Sequence, residues 1–193
     1  MDITESKQQL VTFLESIQQN PFSKGTHGTP TIELRKFFRR LAFYKDTFDG
    51  RTVIDSNKLI KSMTPSFQRD NTKWSEEMQA AFIENIICGL RTELMLYFVE
   101  AEDSGNSFIL DGLQRITAIE AFLNNKLPVY NNMYFDDIDK LSGFRLSRAD
   151  LTLKIYKFKT HREACNHYIG MNKFITHSPE DLESAYAFLQ AGK

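Results

Sequence analysis

The chain has 193 residues, 41% hydrophobic and 12% aromatic, with 24 Lys+Arg against 25 Asp+Glu. Sixteen phenylalanines among them supply a real core for one domain with an extension, and a net charge near zero excludes a global field built for nucleic acid, leaving room only for a local basic patch. No apolar run approaches the ~20 residues that span a bilayer, and Met1–Lys7 lacks the basic-then-apolar order of a signal peptide, so no membrane partner and a cytoplasmic, reducing location are expected.

Taken in chain order, Thr4 can cap a helix to about Gln19, with Leu10, Phe13, Leu14 and Ile17 as its apolar stripe, and Asn20-Pro21 ends it. A Gly/Ser/Thr-rich loop runs from Phe22 to Thr29, and Pro30 with Thr29 as cap opens a second helix. Leu34, Phe37, Phe38 and Leu41 form the apolar face of that helix, while Arg35, Lys36, Arg39 and Arg40 cluster on the other side. Such a face is either solvated or a contact for a DNA phosphate backbone. Asp49-Gly50 is a turn. Residues 1–50 therefore read as an N-terminal helical extension, and 51–193 as the main unit.

Ser56 to Ser62 suits a short helix, and Pro65 enforces extended backbone before it in Met63–Asp70. Trp74 follows, read as a core or lid packing residue ahead of its alternative, a base-stacking platform. Ser75 then caps a helix begun by Glu76 and Glu77, with Met78, Phe82, Ile83, Ile86, Ile87 and Leu90 as its apolar side and Gly89 as its stop. Leu94–Val99 is a buried strand, Ala101–Asn106 a hairpin-like turn, and Ser107–Leu110 a second strand beside the first. Gly112 permits a sharp bend, and from Leu113 onward the apolar residues Ile116, Ile119 and Phe122 recur at helical spacing up to Asn124-Asn125. A short strand over Leu127–Tyr130, an acidic helical turn over Phe135–Leu141 and a strand over Thr152–Phe158 come next. Thr160-His161-Arg162-Glu163 is a capping box opening a helix, and Ser178-Pro179-Glu180-Asp181 starts the last one. Cys88 and Cys165 both fall in apolar helical patterns and read as buried free thiols, too few for a disulfide framework or a zinc site.

The chemistry concentrates at the strand–glycine–helix junction Phe108–Ile119. Asp111 stands at the strand's carboxyl end, and Gln114 and Arg115 fall in the first helical turn. A helix start offers free N–H groups and a positive dipole end, and an arginine beside them adds a planar fork suited to phosphate. Asp111 can hold a magnesium ion or orient a water; its alternative role is that of a helix cap. Phe67-Gln68-Arg69 has the same Gln-Arg character next to a structural breaker, so Arg69 and Arg115 from separate segments make a clamp for a triphosphate, unless Arg69 pairs with Asp70 or Glu76.

In order, Phe67-Gln68-Arg69, Trp74 with the helix Glu76–Gly89, and Phe108 through Thr117 resemble the Asp-Gly-Gln-Gln-Arg family, the N-terminal domain of GmrSD-type modification-dependent restriction enzymes and of relatives in bacterial defence systems and phages. The family belongs to the ParB/sulfiredoxin-like superfamily, and the resemblance runs from about Ile54 to Leu189, including Asn172 ahead of a Ser/Thr-capped helix. It implies an α+β ParB/sulfiredoxin-like domain with a small mixed sheet flanked by helices. It further implies a nucleotide-binding protein that hydrolyses a nucleoside triphosphate with Mg²⁺ and acts on DNA in a restriction or phage context. Asp111, Gln114 and Arg115 would be catalytic; Gln68, Arg69, Gly112, Arg115 and Asn172 would bind nucleotide; Asp111 would hold the metal. Two departures matter: the family's first glutamine is Leu113, and its glycine-rich loop after the Asn is replaced by Lys173-Phe174-Ile175. They leave open a non-catalytic DNA- or protein-binding module that keeps the pocket. A ParB-like endonuclease is a third alternative. Restriction relatives append a His-Asn-His nuclease domain; His161, Asn166 and His167 lie instead on one predicted helix and read as a surface helix.

Overall fold

An unbroken apolar run such as Leu94–Val99 suits a strand covered on both faces, and the sheet is built around it. The computed structural model describes residues 31–42, 54–68, 73–100, 106–146, 149–173 and 182–191, the side chains of 142–145 aside. It is α+β. Four strands, β1 (Thr31–Glu33), β2 (Thr92–Val99), β3 (Ser107–Asp111) and β4 (Asp150–Phe158), form a mixed sheet in the order β1-β4-β2-β3. β2 runs parallel to β4, while β1/β4 and β2/β3 are antiparallel. Seven helices complete the described residues: α1 (Phe37–Ala42), α2 (Ser56–Met63), α3 (Glu76–Ile87), α4 (Leu113–Leu123), α5 (Phe135–Leu146), α6 (His161–Asn172) and α7 (Glu183–Gln190).

Alternation along the strands sorts the core into two. Leu94, Leu96, Ile109, Leu151, Leu153 and Ile155 pack with side chains of α1 to α5 on one face. Tyr97, Val99, Leu110, Tyr156 and Phe158 pack with Phe67 and with α6 and α7 on the other. Burial on both faces explains why β2 carries no polar alternation after Glu93.

The helix ends follow their sequence signals. Ser75 Oγ accepts from Met78 N–H (3.4 Å) and Thr160 Oγ1 from Glu163 N–H (3.2 Å), while Glu163 Oε2 reaches back to Lys159 N–H (2.8 Å) and closes the capping box one residue before the cap. Gly89 (φ 93°) ends α3 in a Schellman motif, with Gly89 N–H on Ile86 O and Leu90 N–H on Asn85 O, both 2.9 Å. Thr64, the residue before Pro65, is extended (φ −85°, ψ 112°) and terminates α2.

Other expectations are corrected. The helix placed at Pro30 does not begin there among the described residues. Thr31–Glu33 pair with β4, Ile32 opposite Leu151, and helix begins only with a 3-10 turn at Leu34–Lys36. Two successive β-branched residues beside an open sheet edge favour the strand. Residues 31–42 thus contribute a strand and core side chains to the sheet. The short strand over Leu127–Tyr130 is a single bridge, Val129 to Met133, because Tyr130, Asn131 and Asn132 take left-handed φ of 44°, 59° and 70°. Cys88 sits at the C-cap of α3 and is exposed; Cys165 is buried, with its thiol on Ala185 O (3.3 Å) and its pKa pushed up to about 11 by burial. Met78 and Leu90, placed on the apolar side of α3, are 51% and 62% exposed. The helix over Thr4–Gln19, the loop to Thr29, the Asp49-Gly50 turn, the turn residues 101–105 and the Ser178 helix start lie outside the described residues.

Candidate functional site

β3 ends at Asp111, and the chain turns into α4 through Gly112 at φ 100°, ψ 18°. This left-handed geometry suits glycine, and a Cβ there would come within 2.5 Å of Leu94 Cδ2. Gly112 is the N-cap of α4 and contributes no side-chain hydrogen bond, so Asp111 is not the cap. Its carboxylate turns to Arg115 instead, and the first-turn amides keep their positive helix end.

A register shift aims Asp111. Leu96 pairs with Ile109, yet Met95 pairs with Asp111, so Leu110 is an extra residue on β3. Antiparallel partners share a face, and Asp111 is therefore carried to the Met95 side of the sheet, where α6 packs. A bulge beside a cleft is a common way to redirect one side chain.

The result is a cavity of ≈ 440 Å³ lined by the Asp111–Arg115 junction and by residues of four other segments. Arg115 Nη2 donates to Asp111 Oδ2 (3.0 Å), and Arg115 Nη1 donates to the Glu93 carbonyl, so the guanidinium is held from two sides. Glu93 is itself fixed by Lys154 Nζ (2.6 Å), whose pKa rises through that hydrogen bond. Gln68 Nε2 donates to Leu110 O (2.9 Å) and Ile109 O (3.2 Å), which ties the Pro65–Gln68 turn to the end of β3. Asn172, 5% exposed, donates from Nδ2 to Tyr168 O (2.8 Å) in its own helix. Gln114 faces the same cavity, and its side chain makes no hydrogen bond to another described residue.

Six of the residues singled out in the sequence thus converge: Gln68, Asp111, Gly112, Gln114, Arg115 and Asn172 all line the cavity. Arg69 lies outside the described residues. Arg35, Lys36, Arg39 and Arg40 are not among the lining residues; Arg35 pairs with Asp139 and Lys36 with Glu33 (2.6 Å), while Arg39 and Arg40 are exposed. Among the described residues no group of three His, Cys, Asp or Glu could hold a metal. A lone carboxylate still fits Mg²⁺, which takes one or two protein carboxylates and completes its shell with phosphate oxygens and water.

Sequence reasoning missed Met95, Tyr168 and Met171 in the cavity wall. For Tyr168 a signal existed, because it lies one helical turn before Asn172. The histidines of α6 are not a surface set. His161 Nδ1 is hydrogen-bonded with the buried Tyr97 hydroxyl (2.9 Å), and His167 packs on Tyr156 and Phe158, where burial brings its pKa down to about 4. Only Asn166, of the three, is exposed.

The chain matches the family described as GmrSD restriction endonuclease, N-terminal domain, over residues 44–191. No curated protein and no solved structure matches it. With most of its length covered by that match, the chain belongs to the GmrSD N-terminal domain family.

Proposed function

We propose that this member of the GmrSD N-terminal domain family binds a nucleoside triphosphate in the Asp111–Arg115 cavity, hydrolyses it with Mg²⁺, and acts on DNA in a restriction or phage context. The observation that carries the reading is the convergence of Asp111, Gln114 and Arg115 on one cavity at a helix start whose cap residue has no side chain. Four of the five positions of the Asp-Gly-Gln-Gln-Arg motif are present, and kinship with ParB/sulfiredoxin-like domains is part of the same proposal. The α4 amides and the Arg115 fork bind phosphate oxygens. Gln114 hydrogen-bonds a phosphate oxygen or orients the attacking water, and Asp111 holds the metal or receives that water's proton. Bound Mg²⁺ neutralises charge on the phosphates. Gln68 and Asn172 shape the wall, and Arg69 adds a second cation to the phosphate clamp.

The test is phosphate release from each nucleoside triphosphate with Mg²⁺. Release is expected from at least one, and Asp111→Ala or Arg115→Ala should abolish it. Leu113 favours a second reading, a binding module without turnover: its apolar side chain, partly packed on the core, stands where the motif has a glutamine, which leaves its backbone N–H as its only hydrogen-bond donor for a ligand. Nucleotide binding without release would select that module, whose partner is DNA or another protein. Direct endonuclease action has the least support, since Asp111 is the one acidic side chain in the described wall; plasmid left intact by excess protein with Mg²⁺ or Mn²⁺ rejects it.

A further inference from the structure

The cavity is chemically divided. Its charged and freely disposed polar side chains come from one short segment, Asp111 to Arg115, while Trp74, Met95, Tyr168 and Met171 come from three others, and Leu113 adds a further apolar side chain. The amide nitrogens of Gln68 and Asn172 are bonded to backbone carbonyls. A volume of ≈ 440 Å³ lies in the range of pockets that enclose a whole small ligand, so it exceeds what phosphates at the helix start require.

Trp74 is the largest side chain of the apolar part, and it is held rather than loose. Its ring meets Phe82 edge-to-face (5.3 Å, 63°), and Gln79 Nε2 holds its carbonyl (3.2 Å), both from α3. The indole is only partly buried although it packs on the core, so part of its surface borders the cavity. A partly exposed indole, packed on Phe82 in an apolar wall and facing a phosphate-binding end, matches a flat aromatic group joined to phosphates.

Resting on the nucleotide reading above, we infer that Trp74 is the stacking platform for the nucleotide's base, and that the cavity recognises the base by its flat face rather than by its hydrogen-bonding edge. Stacking is tolerant of base identity because every base has a π face. Beside the indole, Met95, Leu113 and Met171 have no group that reads a base edge, and the amide nitrogens of Gln68 and Asn172 are held by backbone carbonyls; the polar atoms left, the Tyr168 hydroxyl, the Gln114 amide and the amide oxygens of Gln68 and Asn172, are secondary to the stacking face, so the site accepts purines and pyrimidines alike.

Trp74 is the only tryptophan in the chain, so the native protein's fluorescence reports it directly. Titration with ATP, GTP, CTP, UTP and inorganic tripolyphosphate should show quenching by all four nucleotides, with affinities within about fivefold of one another. Tripolyphosphate should bind without quenching and roughly tenfold more weakly. By calorimetry, Trp74→Leu should lower nucleotide affinity to the tripolyphosphate level, while Trp74→Phe keeps most of it; thermal melting of both variants shows that they fold. Tight nucleotide binding with no quenching and no loss in Trp74→Leu would overturn the platform and leave the nucleotide site standing, as would a strong preference for one base. Absence of binding by every nucleotide and by tripolyphosphate would overturn the site and the platform together.

Discussion

Gly112 answers two demands at once. Its φ of 100° is strained for any residue with a Cβ, and that Cβ would press on Leu94 Cδ2. The left-handed conformation costs a non-glycine residue roughly 1–2 kcal/mol, and moving a fully buried leucine methyl adds to this. Gly112→Ala should therefore lose about 2 kcal/mol of unfolding free energy, read from a denaturant titration. A loss near zero would mean that the turn relaxes into another conformation, and Asp111 would then shift with it. Asp111 and Arg115 share this dependence. Their ion pair is partly exposed, with side chains 30% and 28% accessible, and exposed pairs stabilise little by themselves. The pair therefore adds little to stability, and both charges stay accessible from the cavity.

At the scale of elements, α2 and α4 are joined through a carboxylate that periodicity could not flag. Glu120 is 4% exposed, and its Oε1 accepts from Ser56 Oγ (3.2 Å), Asn57 Nδ2 (2.9 Å), Asn124 Nδ2 (3.0 Å) and Lys126 Nζ (3.1 Å). These bonds anchor the start of α2, whose other end leads to the Pro65–Gln68 turn. Glu120→Ala leaves several donors without an acceptor and should cost about 3 kcal/mol, whereas Glu120→Gln keeps a carbonyl oxygen there and should cost about 1 kcal/mol. Equal losses in the two variants would show that packing, not the acceptor, matters. The contrast with the rest of the fold is instructive. The order α3, β2, β3, bend, α4 and the start of α6 were legible because Ser75, Gly89, Gly112 and the capping box at Thr160 mark those ends with local chemistry. β1 was not legible, because a three-residue edge strand is decided by the open edge of β4. The bulge at Leu110 was equally hidden, since strand register is set across the sheet. The site was legible as a junction, and its polar residues were found; Tyr168 could have been added from its place one turn before Asn172, whereas Met95 enters the wall only through the packing of the sheet.

The whole molecule places its two candidate functions apart. β3, which delivers Asp111, is one edge of the sheet, and β1, which leads through a 3-10 turn to the basic helix α1, is the other. Three strand spacings separate these edges, roughly 14 Å. Among the described residues Arg35 and Lys36 have carboxylate partners in Asp139 and Glu33, so the exposed Arg39 and Arg40 are the better candidates for a DNA backbone. They also stand in the last turn of α1, where cations are favourable for the helix itself, so exposure alone does not make them a binding face. The two roles separate by salt. If Arg39 and Arg40 each neutralise one phosphate, Arg39→Ala/Arg40→Ala should reduce the slope of log K for DNA against log salt by about 2. Nucleotide affinity should stay unchanged, because neither residue lines the cavity. A DNA affinity that is absent or independent of salt in the native chain would reject the patch. Nucleotide affinity that falls in the double variant would show that the two edges of the sheet communicate, and the separation argued from topology would then be wrong.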